Sequence, residues 1–189
     1  MNDERNKTWI RFCCFPWEFG HKSWYPDWMK EPEASDLAVL SQLYTTELSH
    51  YFGLTQPDVL SSPPILVDYI HTIYTQQEKF DAFSEQVLFQ RSSYELDSIE
   101  RGWAFSFSKG LQSGLLLRAC PEPQTALKHL TAYWLQTRFP DFWSRSRLLL
   151  PKMAVEPPLP STLSLYDKKI HLFFLSLIKK VSSYYEYNY

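Results

Sequence analysis

The sequence predicts an all-α, single compact domain with an irregular aromatic and proline-rich segment near its N-terminus. Three observations lead there. Apolar residues recur every three or four positions along most of the chain, the period of a helix with one buried face. The 189 residues include only five glycines against 13 prolines; that is too little glycine for a turn-rich β-sandwich or barrel, whereas proline suits helix starts and stops. Hydrophobic residues make up 44% and charged residues 21%, the balance of a globular chain able to bury one core. Aromatic residues reach 17%, so that core is built on ring packing.

Taken in order, residues 1–8 are polar and expected to be disordered. Residues 9–30 form an aromatic strap holding Trp9, Phe12, Phe15, Trp17, Phe19, Trp24, Tyr25 and Trp28. Pro16 and Pro26 forbid one regular helix there. Two readings stay open: a strap laid across the fold, or an N-terminal piece of ordinary core. Lys30 to Glu33 reads as a surface turn. Ser35 is a candidate N-cap with Asp36 in the first turn. Leu37, Leu40, Tyr44, Leu48 and Tyr51 then step as one helix, ended by Gly53.

Residues 56–62 read as a loop. Pro63 and Pro64 start a helix with Ile65, Leu66, Tyr69, Ile70 and Ile73 inside, and a second covers 78–91 through Phe80, Phe83, Val87 and Leu88. Gln76 and Gln77 either join or break these two. Residues 97–117 carry both signals: Trp103, Phe105 and Phe107 alternate, while Trp103, Phe107, Leu111 and Leu115 step by four. The length of the pattern favours a helix. Gly102, Ser106, Gly110 and Gly114 also step by four. Each glycine costs about 1 kcal/mol in a helix interior, so the strip is expected to admit a closely packed neighbour.

Pro121 and Pro123 start the next helix, with Leu127, Leu130, Tyr133 and Trp134 inside, and Pro140 ends it. Asp141 is placed to cap a short turn. Residues 156–160 read as a stiff connector. The last helix runs over 164–181 with Leu165, Tyr166, Ile170, Phe173, Leu177 and Val181 inward, and 182–189 form a loose tail.

Net charge is −2, so bulk charge names no partner. Its distribution is uneven: residues 1–100 hold 7 Lys or Arg against 16 Asp or Glu, and residues 101–189 hold 12 against 5. Either the halves attract one another, or one acidic and one basic pole bridge two partners. Cys13, Cys14 and Cys120 are too few and too unevenly placed for a disulfide framework, which points to a reducing compartment. No secretory signal is read, and Ile170–Ile178 is too short to span a bilayer. A cytoplasmic location is expected.

Cys13, Cys14 and His21 invite a metal or nucleophile reading, but adjacent thiolates serve one tetrahedral zinc poorly. A Cys–His pair oriented by Asp27 would need an electropositive cleft. Inert buried thiols are the favoured reading. No phosphate-binding loop or nucleophile elbow occurs. Lys168, Lys169, Lys179 and Lys180 read as a solvated helix face, and a pI of 6.2 lacks a nucleic-acid binder's footprint. Binding is favoured over chemistry, with no metal and no cofactor.

Phe15-Pro16-x-x-Phe19-x-His21-x-x-Trp24-x-Pro26 resembles the N-terminal signature of the SctK family, cytoplasmic accessory proteins of bacterial type III secretion systems. Arg11-Phe12-Cys13 is also similar to family members. So is Arg147-Leu148-Leu149-Leu150-Pro151, which resembles a late Leu-rich segment in some of them. Phe19 stands where the family has tyrosine, and Tyr25 stands before Pro26 where leucine is usual. The resemblance covers residues 11–28 and 145–151. It implies a non-enzymatic adaptor of the sorting platform at the cytoplasmic face of the inner membrane. Such a protein links the inner-membrane ring's cytoplasmic domain to the pod protein, supports effector secretion and uses no nucleic acid. His21, Trp24, Trp28, Arg145 and Arg147 are the candidate partner-binding residues. The competing readings are a secreted effector or enzyme using Cys13 or Cys14, and a helical nucleic-acid-associated protein.

Overall fold

In a computed structural model the described residues are 2–29, 34–54, 62–120, 122, 125–155 and 159–187; the side chains of residues 2, 28, 34, 35 and 184–187 fall outside that description. Among the described residues the chain forms nine α-helices and several 3-10 turns, with no strand. The all-α prediction holds. No described helix is long and apolar enough to cross a membrane.

Helix α1 spans Asn2–Cys14 and occupies the stretch expected to be disordered. Its ends explain why it forms. Asp3 and Glu4 lie in the first turn and Arg11 in the last, each sign complementing the helix dipole. Lys7 pairs with Asp3 at 2.6 Å and Arg5 with Asp68 at 3.1 Å. Thr8, Trp9, Phe12 and Cys13 are buried, and packing of that face, more than propensity, holds so short a helix. The strap therefore begins as helix and becomes irregular only at Phe15. Three 3-10 turns follow, Pro16–Phe19, Lys22–Trp24 and Asp27–Met29.

Helices α2 (Ala34–Leu43) and α3 (Thr45–Tyr51) replace the single helix predicted, broken at Tyr44 with φ −125° and ψ 30°. Gly53 takes φ 59°, the left-handed residue expected just beyond a helix end. Helix α4 (Pro64–Phe89) starts at the predicted proline, and its two helical halves meet at a kink where Gln76 leaves helical geometry, with φ −143° and ψ 38°.

Residues 97–117 are helical in two pieces. Helix α5 (Ser98–Leu111) starts at a reciprocal cap, in which Asp97 accepts from the Glu100 N–H and Glu100 from the Asp97 N–H, both at 2.8 Å. Gln112 then turns the chain with φ 58° and ψ 52°, and α6 (Ser113–Ala119) follows. The glycine strip does not do what its spacing predicts. Gly102, Gly110 and Gly114 are exposed, and a Cβ added at any of them would meet nothing within 4 Å. Among the described residues no helix packs there; Ala104, Ser108 and Leu111 are on the buried face instead.

Helix α7 (Ala126–Arg138) ends before Pro140 as predicted, and a 3-10 turn at Pro140–Phe142 leads into α8 (Trp143–Ser146). Further 3-10 turns cover Arg147–Leu149, Lys152–Ala154 and Ser161–Tyr166. Helix α9 spans Asp167–Tyr187. Ile170, Phe173, Leu177 and Val181 are buried as predicted, but Leu165 lies in the preceding 3-10 turn and is 78% exposed. The expected loose tail is helical to Tyr187. The predicted turn at 30–33, the loop at 56–61, Pro121, Pro123, the connector at 156–158 and residues 188–189 lie outside the described residues, and Ser35, the predicted cap, falls inside α2.

Helix α4 is central, packing against α1, α5, α6, α7 and α9. Its core is aromatic: Trp134 stacks on Phe174 at 4.6 Å between centroids, and Tyr69 meets Trp134 edge-on at 5.2 Å. The Trp134 indole N–H donates to His171 Nδ1 at 3.1 Å, which satisfies a buried donor. A smaller second core gathers Trp17, Tyr25, Met29, Leu48, Phe52 and Leu148.

Gly102→Ala tests the glycine strip. With open space at the Cβ position, alanine is expected to stabilise α5 by about 0.5–1 kcal/mol. Urea unfolding measures this, and a loss of stability would reveal a hidden contact.

Candidate functional site

The strap lacks a helix's internal ladder, so its backbone polar groups need other partners. Trp17 is fully buried, stacks on Phe52, and donates its indole N–H to Ser41 Oγ at 2.7 Å. The Tyr25 hydroxyl reaches back to the carbonyls of Trp17 and Gly20. The first two turns are thereby tied to each other.

Beyond Gly20 the strap is stitched to the segment after α8. The His21 N–H donates to the Leu148 carbonyl at 2.7 Å. The Trp24 indole N–H donates to the Leu150 carbonyl at 2.7 Å, and the Lys152 N–H donates to Ser23 Oγ at 2.8 Å. Arg145 Nε donates to the Cys13 carbonyl at 3.0 Å, and an Arg147 Nη donates to the Phe52 carbonyl at 2.7 Å. Two cations lie over the Trp24 ring, the Arg147 guanidinium 5.1 Å and the Lys152 ammonium 5.9 Å from its centroid.

The candidate residues fare differently. His21 is exposed and caps the second 3-10 turn, its Nδ1 accepting from the Ser23 N–H at 3.2 Å. Partial burial and the charges of Lys128 and Lys22 hold its imidazole below the usual pKa. Trp24 and Arg147 are half-buried and in contact. The backbone of Trp28 belongs to the third 3-10 turn, while its side chain lies outside the described residues. Arg145 is a correction: it is only 5% exposed, and burial lowers its pKa. It ties α8 to the end of α1 through the Cys13 carbonyl. Lys22, Lys128 and Lys152 are exposed, as is Met153, which follows Lys152.

Cys13 is buried, and burial pushes its thiol up to about 11, the reverse of an activated thiolate. Cys120 is likewise buried and pushed up to about 11, whereas Cys14 is exposed. Among the described residues, no group of His, Cys, Asp and Glu is arranged to hold a metal ion.

A cavity of about 550 Å³ opens between the strap, α4, α7 and residues 149–151. Along α4 its wall is a stripe at every fourth position: Tyr69, Ile73, Gln77, Asp81, Glu85 and Phe89. In a straight helix such a stripe would wind around the axis by about 40° per step. The kink at Gln76 interrupts that winding. Asp81 is half-buried, and desolvation, with the Glu85 charge one turn on, raises its carboxyl to about 6. Sequence reading missed this wall because Phe80, Phe83, Val87 and Leu88 define the apolar face of the same turns. Its trace in the sequence is the Gln77–Asp81–Glu85 spacing.

Asp81 gives a pH test. Its folded pKa, about 6 against 3.8, lies above the unfolded value, so the folded state holds the proton longer. Its contribution is neutral below the lower value, and stability falls as pH rises between the two. Asp81→Asn is expected to be more stable than the parent by about 1–2 kcal/mol at pH 7 after allowing for solvent screening. The gain disappears once the carboxyl is protonated in both states. Denaturant unfolding of both proteins across that pH range checks the sign.

Comparison with family models, curated proteins and solved structures finds no match.

Proposed function

We propose that this chain is a non-enzymatic adaptor of the SctK kind, joining the inner-membrane ring's cytoplasmic domain to the pod protein of a type III secretion sorting platform. The observation that carries the reading is the meeting of residues 11–28 with 145–151. These two stretches bear the resemblance, and Arg145, His21 and Trp24 join them through hydrogen bonds. Two stretches so far apart in the chain then belong to one structural unit, with Trp24 at its middle. An adaptor also needs two faces of different character. One is basic: Lys22, Lys128 and Lys152 are exposed, with Lys152 over the Trp24 ring and the charges of Lys22 and Lys128 felt by His21. The other is the acidic side of α4, where Glu78, Asp81 and Glu85 all raise the pKa of Tyr94. On this reading the chain works at the cytoplasmic face of the inner membrane, and the charge asymmetry of the sequence separates its two partners.

Affinity capture from a type III-secreting host tests the proposal. The parent protein is expected to recover both ring and pod components. Exposed charges at the junction set partner choice, so Lys22→Glu with Lys152→Glu should lower recovery of one component at least about tenfold and spare the other, with an unchanged thermal midpoint. Arg145→Glu, buried against Cys13, should lose both together with its fold. Recovery of neither component by the parent would end the proposal.

A further inference from the structure

We infer that the cavity between α4, α7 and the strap receives a single arginine or lysine side chain presented by a protein partner. This goes beyond the adaptor reading and holds whatever assembly the chain joins. Its volume of about 550 Å³ falls in the range of pockets that enclose a ligand, roughly 300–1,000 Å³. Its walls are rich in rings, with Phe19, Tyr69, Tyr74, Phe80 and Phe89 all contributing. Ring faces attract cations and are indifferent or repulsive to anions. One of them already does so: the Arg11 guanidinium lies 6.0 Å from the Tyr74 centroid and donates to the Tyr74 hydroxyl at 3.2 Å.

The carboxylates differ in what they lack. Glu18 is paired with Arg11 at 2.8 Å. Glu85 uses one oxygen, Oε2, to accept from the Ser93 N–H at 2.8 Å and from its hydroxyl at 2.7 Å. Asp81 has no hydrogen-bond or ion-pair partner among the described residues, although it lines the cavity between Gln77 and Glu85. A half-buried carboxylate beside a like charge is unfavourable until a cation reaches it. Lys128 of α7 lines the same cavity as Asp81 and Glu85 of α4. The cavity therefore carries charges of both signs on two different helices. A single cationic side chain fits that field, and a polyamine, which would bring a second positive charge towards Lys128, does not.

The test is amide-resolved NMR titration of the full chain with three probes: acetyl-Leu-Arg-Leu-amide, acetyl-Leu-Glu-Leu-amide and spermidine. The arginine peptide is expected to shift the amides of 73–89 and 127–131 saturably, and the glutamate peptide to leave them in place. Asp81→Asn removes a charge-assisted hydrogen bond and should weaken the arginine peptide about tenfold, its fold verified by its unfolding transition. Should that variant fail to fold, Glu85→Gln carries the same comparison. Equal response to both peptides, no response to the arginine peptide, or undiminished binding by the variants would overturn the assignment. Tighter binding of spermidine than of the peptide would overturn the protein source.

Discussion

The constraint on which the rest depends is the supply of partners for backbone groups that no helix satisfies. Pro16 and Pro26 prevent the strap from continuing α1, and residues 147–154 run through two short 3-10 turns. Both segments leave donors and acceptors that cost about 1–3 kcal/mol each if buried without a partner. They solve the problem mutually. Leu148 and Leu150 carbonyls accept from His21 and Trp24, and Ser23 accepts from Lys152. Each segment has only the short backbone bonds of its 3-10 turns, and each supplies further partners to the other.

That stitching decides the arrangement of the two cores. The larger one is organised on α4 and α9, the smaller on Trp17, Phe52 and Leu148. Arg145 and Arg147 lie two residues apart yet serve different cores. Arg145 reaches the end of α1 at Cys13, and Arg147 reaches the end of α3 at Phe52. A guanidinium suits this work, because its several fixed donors can satisfy carbonyls at a helix end, where the dipole also favours a positive charge. The two arginines thus fix the satellite core against the main one. Both arginines bond within the fold, while Lys22, Lys128 and Lys152 are exposed.

What the sequence shows plainly is wherever one face of a helix is buried against one neighbour. Ile170, Phe173, Leu177 and Val181 stand out for this reason, as do the proline that opens α4 and the glycine that follows α3. Residues whose meaning is set by remote contacts are not legible. Gln90 and Gln112 adopt φ 58°, a conformation usually signalled by glycine, so the break between α5 and α6 leaves no local mark. Gln112 is held there in part by Lys169 of α9, whose ammonium bonds both its side chain and the Leu111 carbonyl. The glycine strip misleads in the opposite sense, since regular spacing of small residues says that a close approach is possible, not that a neighbour is present. At the candidate site, Trp24 is legible as unusual. That it contacts Arg147 is not, because 126 residues separate it from its acceptor at Leu150.

The wall of the cavity follows from the same logic of competing faces. Helix α4 buries Phe80, Phe83, Val87 and Leu88, and those residues dictate its rotation. Asp81 is adjacent to Phe80 and is carried part-way into the interior by that choice. A lysine or arginine in its place would extend its charge to water along a flexible stem; the short aspartate cannot. Its desolvation is thus a consequence of packing on the neighbouring face. Lys79, two residues before it, pairs with Glu100 at 2.8 Å. The fold thereby holds one carboxylate part-way into the interior, in a cavity whose walls include Tyr69, Phe80 and Phe89.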